Sequence, residues 1–129
     1  MALASENLIS YVQVTPGTPL VGNSSGGAQS NNCTITAPAG QTAYVQGFTV
    51  TGLGATAASG ITVTLSDGTN TLKFTMTIVA GATTAVTPLT YTFTQPFPAS
   101  ATGATWTLTV PTFGAGNTNA SATLYGFAV

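Results

Sequence analysis

The fold is decided by residues 61–78, ITVTLSDGTNTLKFTMTI, where apolar and polar side chains alternate on both sides of a short turn. Every second residue is apolar from position 61 to 65, and again from 72 to 78. A period of two is typical of a strand with one buried face. Asp67 and Gly68, at the centre, are residue types that accept a tight turn and positive φ. The stretch therefore predicts a β-hairpin.

The same alternation predicts six further strands, which are separated by segments rich in Gly, Pro, Ser and Ala. They cover residues 9–14, 33–37, 43–51, 89–94, 105–110 and 120–129. In the strand at 43–51, we expect Tyr44, Gln46, Phe48 and Val50 to share one face. In the last strand, Tyr125 and Phe127 lie on the face opposite Leu124. Because aromatic residues stand on this second face, we expect it to be covered as well.

Eight antiparallel strands in one domain predict an all-β fold, a two-sheet sandwich of the jelly-roll type. Threonine dominates the polar positions of these strands, and its β-branched side chain favours a pleated sheet. An immunoglobulin-like sandwich is the alternative. The chain lacks the Cys…Trp…Cys spacing of true immunoglobulin domains, since it contains a single cysteine.

The clearest predicted linker is residues 22–32, GNSSGGAQSNN, because its composition is that of a flexible segment. We therefore divide the chain into an N-terminal segment or arm at 1–30 and a β-sandwich domain at 31–129. The first residues are too apolar for a free tail, with Leu8, Ile9 and Tyr11 at the centre of the apolar run. They form either the first strand of the sandwich or an arm that docks on a neighbour.

The near-absence of charge excludes most chemistry. The 129 residues include one lysine, two acidic residues and no histidine. Acid/base catalysis needs a titratable group within reach of the substrate, and a serine or cysteine nucleophile here has no histidine base. Metal sites need clustered His, Cys or carboxylate ligands. We therefore predict neither an enzyme nor a protein with a cofactor or metal, and we interpret Asp67 as a turn residue rather than a calcium ligand.

Nucleic acid and membrane are also excluded as predicted partners. Lys and Arg supply most of the affinity for phosphate backbones, and Lys73 stands alone. No apolar run is long enough for a transmembrane helix, and the first residues lack the features of a signal peptide. Cys33, in a predicted strand, is expected to be a small buried apolar residue. These features predict synthesis in a reducing cytoplasm.

Aromatic side chains leave sugar binding open as a function, because aromatic rings and amide or hydroxyl groups suffice for it. The candidates are Tyr11, Tyr44, Tyr91, Trp106 and Tyr125. Strand alternation favours core positions for Tyr91 and Trp106. Tyr125 and Phe127 are the best outward-facing aromatics, and a self-association patch explains them at least as well as a sugar platform does.

Three stretches carry a resemblance to a known group of proteins. They are YVQGFTVTGLGATAASGITVTL at 44–65, VAGATTAVTPL at 79–89 and FGAGNTNA at 113–120. Together they resemble small proteins encoded among the head genes of tailed bacteriophages, especially capsid cement or decoration proteins. The resemblance covers residues 42–129. It implies a jelly-roll or similar β-domain, often trimeric, that sits on the outer capsid and locks the shell; it implies no catalytic residues.

The expected function is therefore that of a structural virion protein. It would form a homotrimer, bind the major capsid protein on the outer capsid surface and stabilise the shell across capsomers. The candidate contact residues are Leu8, Ile9, Tyr11, Tyr125 and Phe127. The alternative is a carbohydrate-binding or adhesive module, such as a virion spike or head fibre that recognises a host-surface glycan.

Overall fold

The computed structural model describes residues 17–27, 30–114 and 119–129. Eight strands lie in these ranges. They are β1 (Thr18–Gly26), β2 (Cys33–Thr36), β3 (Ala43–Leu53), β4 (Ser59–Ser66), β5 (Thr71–Ile78), β6 (Leu89–Pro98), β7 (Thr105–Thr109) and β8 (Asn119–Ala128).

The strands form two four-stranded antiparallel sheets. The first sheet has the order β1-β8-β3-β6, and the second has the order β2-β7-β4-β5. The two sheets face each other, with β1 close to β2 and β3 close to β7. The predicted all-β class, with eight antiparallel strands in a two-sheet sandwich, is confirmed.

The strand pairing follows a simple rule across both sheets. The first strand pairs with the eighth, the second with the seventh, the third with the sixth and the fourth with the fifth. The described strands thus pair as the two arms of one long antiparallel hairpin, whose pairs are divided between the two sheets. Among the described strands, only β4 and β5 are both consecutive in sequence and adjacent in a sheet. An immunoglobulin domain instead places its first two strands side by side. The observed order therefore differs from the immunoglobulin-like alternative.

The predicted hairpin of residues 61–78 is β4 and β5 with the turn between them. Ser66 pairs with Thr71, and Gly68 has a φ of 92°, which glycine adopts without strain. Val63, Leu65 and Ile78 are fully buried. Alternation alone therefore placed the correct face of this hairpin in the core.

The core lies between the sheets and is made of aliphatic and aromatic side chains from both. The fully buried large side chains include Phe48, Leu65, Ile78, Trp106, Leu108 and Leu124. Cys33 is also buried, as predicted, and burial raises the pKa of its thiol to about 11, although a backbone hydrogen bond with Leu124 opposes the rise. Such a thiol is inert at neutral pH because almost none of it is ionised.

The prediction of a linker at residues 22–32 is wrong for its first part. Residues 22–26 belong to β1, where Gly22 pairs with Leu124 and Gly26 with Ala120. The sandwich therefore includes Thr18–Gly26, and its first described strand begins before the predicted domain boundary at residue 31. Sequence composition misses this strand because Asn23 and Ser25 lie on its outer face, while its inner face carries Gly22 and Ser24 instead of large apolar side chains. The strand predicted at 9–14 lies outside the described residues.

The predicted face of β3 is wrong at its beginning. Val45 is buried, whereas Gln46 is exposed and Tyr44 is half-buried on the outside. The pairing with β8 skips one residue between Val45 and Gly47, which marks a β-bulge at Gln46. An inserted residue reverses the alternation, so only Phe48 and Val50 of the predicted set face the core.

Candidate interaction surfaces

The outer face of the first sheet presents side chains in rows that cross its strands. One row runs from Pro19 through Phe127 to Tyr44, and the next runs from Val21 through Tyr125 to Gly47. Neighbouring strands lie about 4.8 Å apart, so side chains within each row are in contact distance. None of the described residues on this face is charged, since the described charged side chains are Asp67 in the β4–β5 turn and Lys73 on β5.

Five residues form an aromatic patch at one end of this face. We use this name for Pro19, Val21, Tyr44, Tyr125 and Phe127. The Phe127 and Tyr44 rings are stacked, with centroids 5.2 Å apart and planes 4° from parallel. The Val21 side chain is 62% exposed, the largest exposure recorded for a large apolar residue in the described chain. The patch is therefore apolar, ordered by ring stacking, and open on its outer side.

Tyr125 lies flat across the sheet rather than standing away from it. Its ring crosses Gly47 on β3, where a Cβ atom would be only 2.6 Å from the Tyr125 hydroxyl oxygen. That hydroxyl is 3.5 Å from Thr92 Oγ1 on β6. The glycine makes room for the ring, so Tyr125 covers the sheet across three strands.

A shallow groove lies beside Phe127 in the aromatic patch. It has a volume of about 440 Å³ and is lined by Gly17, Pro19, Gln46, Gly126 and Phe127. Gly126, which lines the groove, has no room for a side chain, because a Cβ there would collide with the Tyr44 carbonyl of β3. The groove offers an apolar floor with one amide side chain.

The other end of the same face is polar and uncharged. Its rows bring Asn23 beside Thr123 and Ser25 beside Ser121. Thr123 Oγ1 donates a hydrogen bond of 2.9 Å to Asn23 Oδ1. Along the strands, the outer face of the first sheet thus changes from aromatic side chains to hydroxyl-bearing side chains. Neither end of the face carries a described charged side chain.

The outer face of the second sheet is almost entirely threonine and serine. One row crosses all four strands and contains Thr34, Thr107, Ser66 and Thr71. Some hydroxyls bond to each other, as in the 2.7 Å contact between Thr36 Oγ1 and Thr105 Oγ1. Lys73 stands on this face on β5, the outermost described strand of the sheet. This face is therefore hydrophilic, with a single cation at its margin.

A chain of aromatic rings fills the opening between the outermost strands β5 and β6. The Tyr91 ring of β6 lies 4.9 Å from both Phe74 of β5 and Phe93 of its own strand, centroid to centroid. Further ring contacts lead through Phe97 to Trp106 in the core. Trp106 is fully buried as expected, but Tyr91 is 41% exposed, so its predicted core position is wrong. It stands on the last strand of its sheet, where the partner sheet covers it only in part.

Asp67 holds two loops together. Its carboxylate accepts hydrogen bonds from the backbone N–H groups of Thr69 (3.0 Å) and Asn70 (2.6 Å) within its own turn. It also accepts one of 2.6 Å from the Ser100 N–H in the loop between β6 and β7. Partial burial raises the pKa of this carboxyl, but the hydrogen bonds from Asn70, Ser100 and Thr69 outweigh it and lower the pKa from 3.8 to about 2. The oxygens are thus engaged by N–H donors, which supports the turn interpretation.

Of the five residues predicted as contacts, the structure describes two. Tyr125 and Phe127 both lie on the outer face of β8, half-buried, while Leu124 between them is buried. Leu8, Ile9 and Tyr11 lie outside the described residues. Sequence reasoning missed Pro19, Val21 and Tyr44 as neighbours of Phe127. Pro19 and Val21 were outside any predicted strand, and Tyr44 was expected on the same face as Phe48 and Val50.

No group of three or more His, Cys, Asp or Glu side chains that could hold a metal occurs within residues 17–27, 30–114 and 119–129. The same ranges contain no helix able to cross a membrane. Comparisons with protein-family models, with curated proteins and with solved structures gave no match.

Proposed function

We propose that this chain is a non-enzymatic structural protein of a bacteriophage virion, a cement or decoration protein that binds the major capsid protein shell from outside. It acts as a homotrimer and stabilises the shell across capsomers. Its sandwich is a jelly roll, a proposal supported by the pairing of each strand n with strand 9 − n. The chain needs no cofactor and takes neither nucleic acid nor membrane as a partner.

The observation that carries this proposal is the uncharged outer face of the first sheet. Soluble proteins that remain free normally carry a mixed charged surface. Here an aromatic patch adjoins hydroxyl rows, and no described residue of the face is charged. Permanent interfaces are more apolar than transient ones, with aromatic residues enriched and charges depleted at their centre. The face has that composition.

The proposed contacts are Tyr125 and Phe127 of the aromatic patch, together with Leu8, Ile9 and Tyr11 of the N-terminal segment. A contact of this type depends on apolar burial and short-range hydrogen bonds rather than on long-range charge. Its strength therefore changes little with ionic strength, because salt screens charge interactions and leaves apolar burial intact.

Cosedimentation with capsid shells tests the proposal. The probe is shells assembled from the major capsid protein encoded in the same genome. The wild-type chain is expected to bind saturably, and Phe127→Ser to bind at least about tenfold more weakly, since losing a buried aromatic contact costs an interface about 2 kcal/mol. Thr62→Ser, an exposed position of the second sheet, is the matched control and is expected to bind like wild type. Absence of saturable binding by the wild type would contradict the proposal.

The second candidate is a carbohydrate-binding module, and exposed Tyr91 is the observation that favours it. The ring has an accessible part beside half-buried Phe74 and Phe93. Sugars stack on aromatic faces, but these neighbours meet Tyr91 at steep angles of 53° and 76° and form no flat platform with it. A glycan array decides: saturable sugar binding that is lost in Tyr91→Ala would favour this candidate over the capsid proposal.

A further inference from the structure

The β4–β5 turn contains the one Asp-Gly or Asn-Gly dipeptide of the 129 residues, Asp67-Gly68. An Asp-Gly link can rearrange in water, because glycine puts no side chain in the way of an attack on the neighbouring carboxyl group. The backbone nitrogen of Gly68 attacks Cγ of Asp67, and a C–N bond forms while one carboxyl oxygen leaves as water. The product is a five-membered succinimide ring.

Hydrolysis of this ring returns the lost water and has two outcomes. Opening at Cγ restores Asp67. Opening at the main-chain carbonyl carbon gives isoaspartate, in which the backbone runs through the side chain and the free carboxylate stands on Cα. The whole sequence is an isomerisation that needs only water. Isoaspartate adds one carbon to the backbone of the turn, so it changes the turn geometry.

The turn depends on both residues of this reactive pair. Gly68 has a φ of 92°, a region that residues with a side chain rarely adopt. The Asp67 carboxylate accepts hydrogen bonds from the backbone N–H groups of Thr69 and Asn70 and from that of Ser100 in the β6–β7 loop. Replacing either member of the pair therefore removes a favourable turn conformation or these hydrogen bonds.

The carboxylate that would be attacked is held by four hydrogen bonds. Oδ1 of Asp67 accepts from the N–H groups of Thr69 (3.0 Å) and Asn70 (2.6 Å). Oδ2 accepts from Asn70 Nδ2 (3.2 Å) and the Ser100 N–H (2.6 Å). Turning this group toward the Gly68 nitrogen breaks these bonds. The bonds also favour the ionised form, whose oxygen cannot leave as water until it gains a proton.

The nitrogen that would attack is engaged as well. The Gly68 N–H donates a hydrogen bond of 3.1 Å to Ser66 Oγ. Ser66 Oγ is itself fixed, because it donates a hydrogen bond of 2.8 Å to the Asn70 carbonyl oxygen. An amide nitrogen becomes a nucleophile only when it loses its proton, and this hydrogen bond directs the proton toward Ser66. Both reacting groups are thus held in other contacts.

We propose that Asp67-Gly68 is the isoaspartate-forming site of this chain, and that the hydrogen bonds of the turn suppress the reaction in the folded protein. The reaction then proceeds from states in which the turn has opened locally. Conversion moves the carboxylate from the side chain to Cα, so the modified chain loses the contact between the β4–β5 turn and Ser100. The proposal does not depend on capsid binding.

Peptide mapping by mass spectrometry tests the protection. Isoaspartate at position 67 is quantified in the full chain during incubation at pH 7.4 and 37 °C. The folded protein is kept in concentrated NaCl, and the unfolded protein in guanidinium chloride of the same ionic strength. The unfolded chain is expected to react at least about tenfold faster, because hydrogen bonds to a charged acceptor must break first in the folded one. Equal rates would overturn the proposal.

Ser66→Ala tests the contact at the attacking nitrogen. The folded variant is expected to form isoaspartate about fivefold faster than the wild type, which corresponds to the loss of one neutral hydrogen bond. Ser66→Thr keeps the hydroxyl and is expected to react like the wild type. Thr64→Ala is the matched control, because it removes a half-buried hydroxyl from the same face of β4 without touching the turn.

Thermal unfolding establishes that each variant is folded at the incubation temperature. If folded Ser66→Ala reacts no faster than Thr64→Ala, the Ser66 hydroxyl does not protect the turn and the proposal is wrong. Because capsid binding is measured separately with shells, neither result decides that proposal.

Discussion

Asp67 shows how one side chain can connect two distant parts of this fold. Its carboxylate joins the β4–β5 turn to Ser100, 33 residues away in the chain. With so few charged groups in the protein, this carboxylate is the main source of acid sensitivity among the described residues. Its pKa is about 2 in the folded protein and 3.8 ordinarily, so the folded state favours the ionised form.

Asp67→Asn is expected to lower the free energy of unfolding at pH 6 by about 1–2 kcal/mol, because charged hydrogen-bond acceptors contribute more than neutral ones. The sign follows from the lowered pKa: the contribution of the Asp67 carboxylate to the free energy of unfolding is complete above about pH 5 and is lost progressively as the pH falls through 3.8 and then 2. Thermal unfolding of both proteins from pH 6 to pH 2 measures the effect. If the advantage of the wild type were as large at pH 2 as at pH 6, the carboxylate charge would not be its source.

Gly22 is the second residue with a specific structural requirement. At this point β1 passes over β2 so closely that a Cβ would collide with the Thr34 carbonyl. Gly22→Ala is therefore expected to destabilise the protein by about 1–3 kcal/mol, the usual cost of overpacking. Gly60→Ala on β4 is the control, because a Cβ there has no atom within 4 Å. Urea unfolding curves compare them, and equal stabilities would refute the close approach of the two strands.

At the scale of the elements, regular alternation of apolar and polar residues predicted which strands form and which face of them is buried. The prediction of the buried face failed where a strand is irregular or lies at the margin of its sheet. The faces of β4 and β7 were predicted correctly because each has an uninterrupted period of two and a buried face. In β8 the alternation is weaker, but Leu124 is buried and Tyr125 and Phe127 lie on the opposite face, as predicted. In β3 the bulge at Gln46 reversed the face of Tyr44, and no residue type at that position signals a bulge. In β6 the outermost position in the sheet left Tyr91 exposed, which depends on strand order.

Sequence analysis predicted two of the five residues of the aromatic patch. Tyr125 and Phe127 were recognised because they break the rule of one apolar face per strand. Val21 and Pro19 were not predicted because apolar and polar residues do not alternate clearly in β1. Its outer face is apolar only at its first residues. Their place beside Phe127 is set by the pairing of the first strand with the last, a contact across more than 100 residues that local patterns do not encode.

Lys73 occupies the outermost described strand of the second sheet, where an unpaired edge can recruit another strand. A single lysine can block such pairing, because its charge would be buried without a partner. Lys73→Thr is expected to increase aggregation during incubation at 37 °C, followed by light scattering and thioflavin fluorescence. Lys73→Arg keeps the charge and is expected to behave like wild type. If Lys73→Thr aggregates no faster than wild type, the lysine does not protect this edge.

At the scale of the whole molecule, the fold supplies one outer face without a described charge, a second outer face with a single lysine, and a core between the two sheets. The first sheet combines the aromatic patch with hydroxyl rows, and the second carries its threonine rows with Lys73 at the margin. We infer that stable association replaces surface charge as the means of keeping the protein in solution. If the protein binds a capsid through this surface, the affinity is expected to be similar at low and at high ionic strength.

The most direct test of this account is the mass of the purified full-length protein, measured by light scattering after size exclusion. The measurement is made at micromolar concentration in low salt and again in 1 M NaCl. The account predicts a homotrimer, three times the 12.8 kDa of the chain, with the same mass in both buffers. A monomer in both, or a trimer that dissociates in high salt, would contradict an assembly protein held together by uncharged contacts.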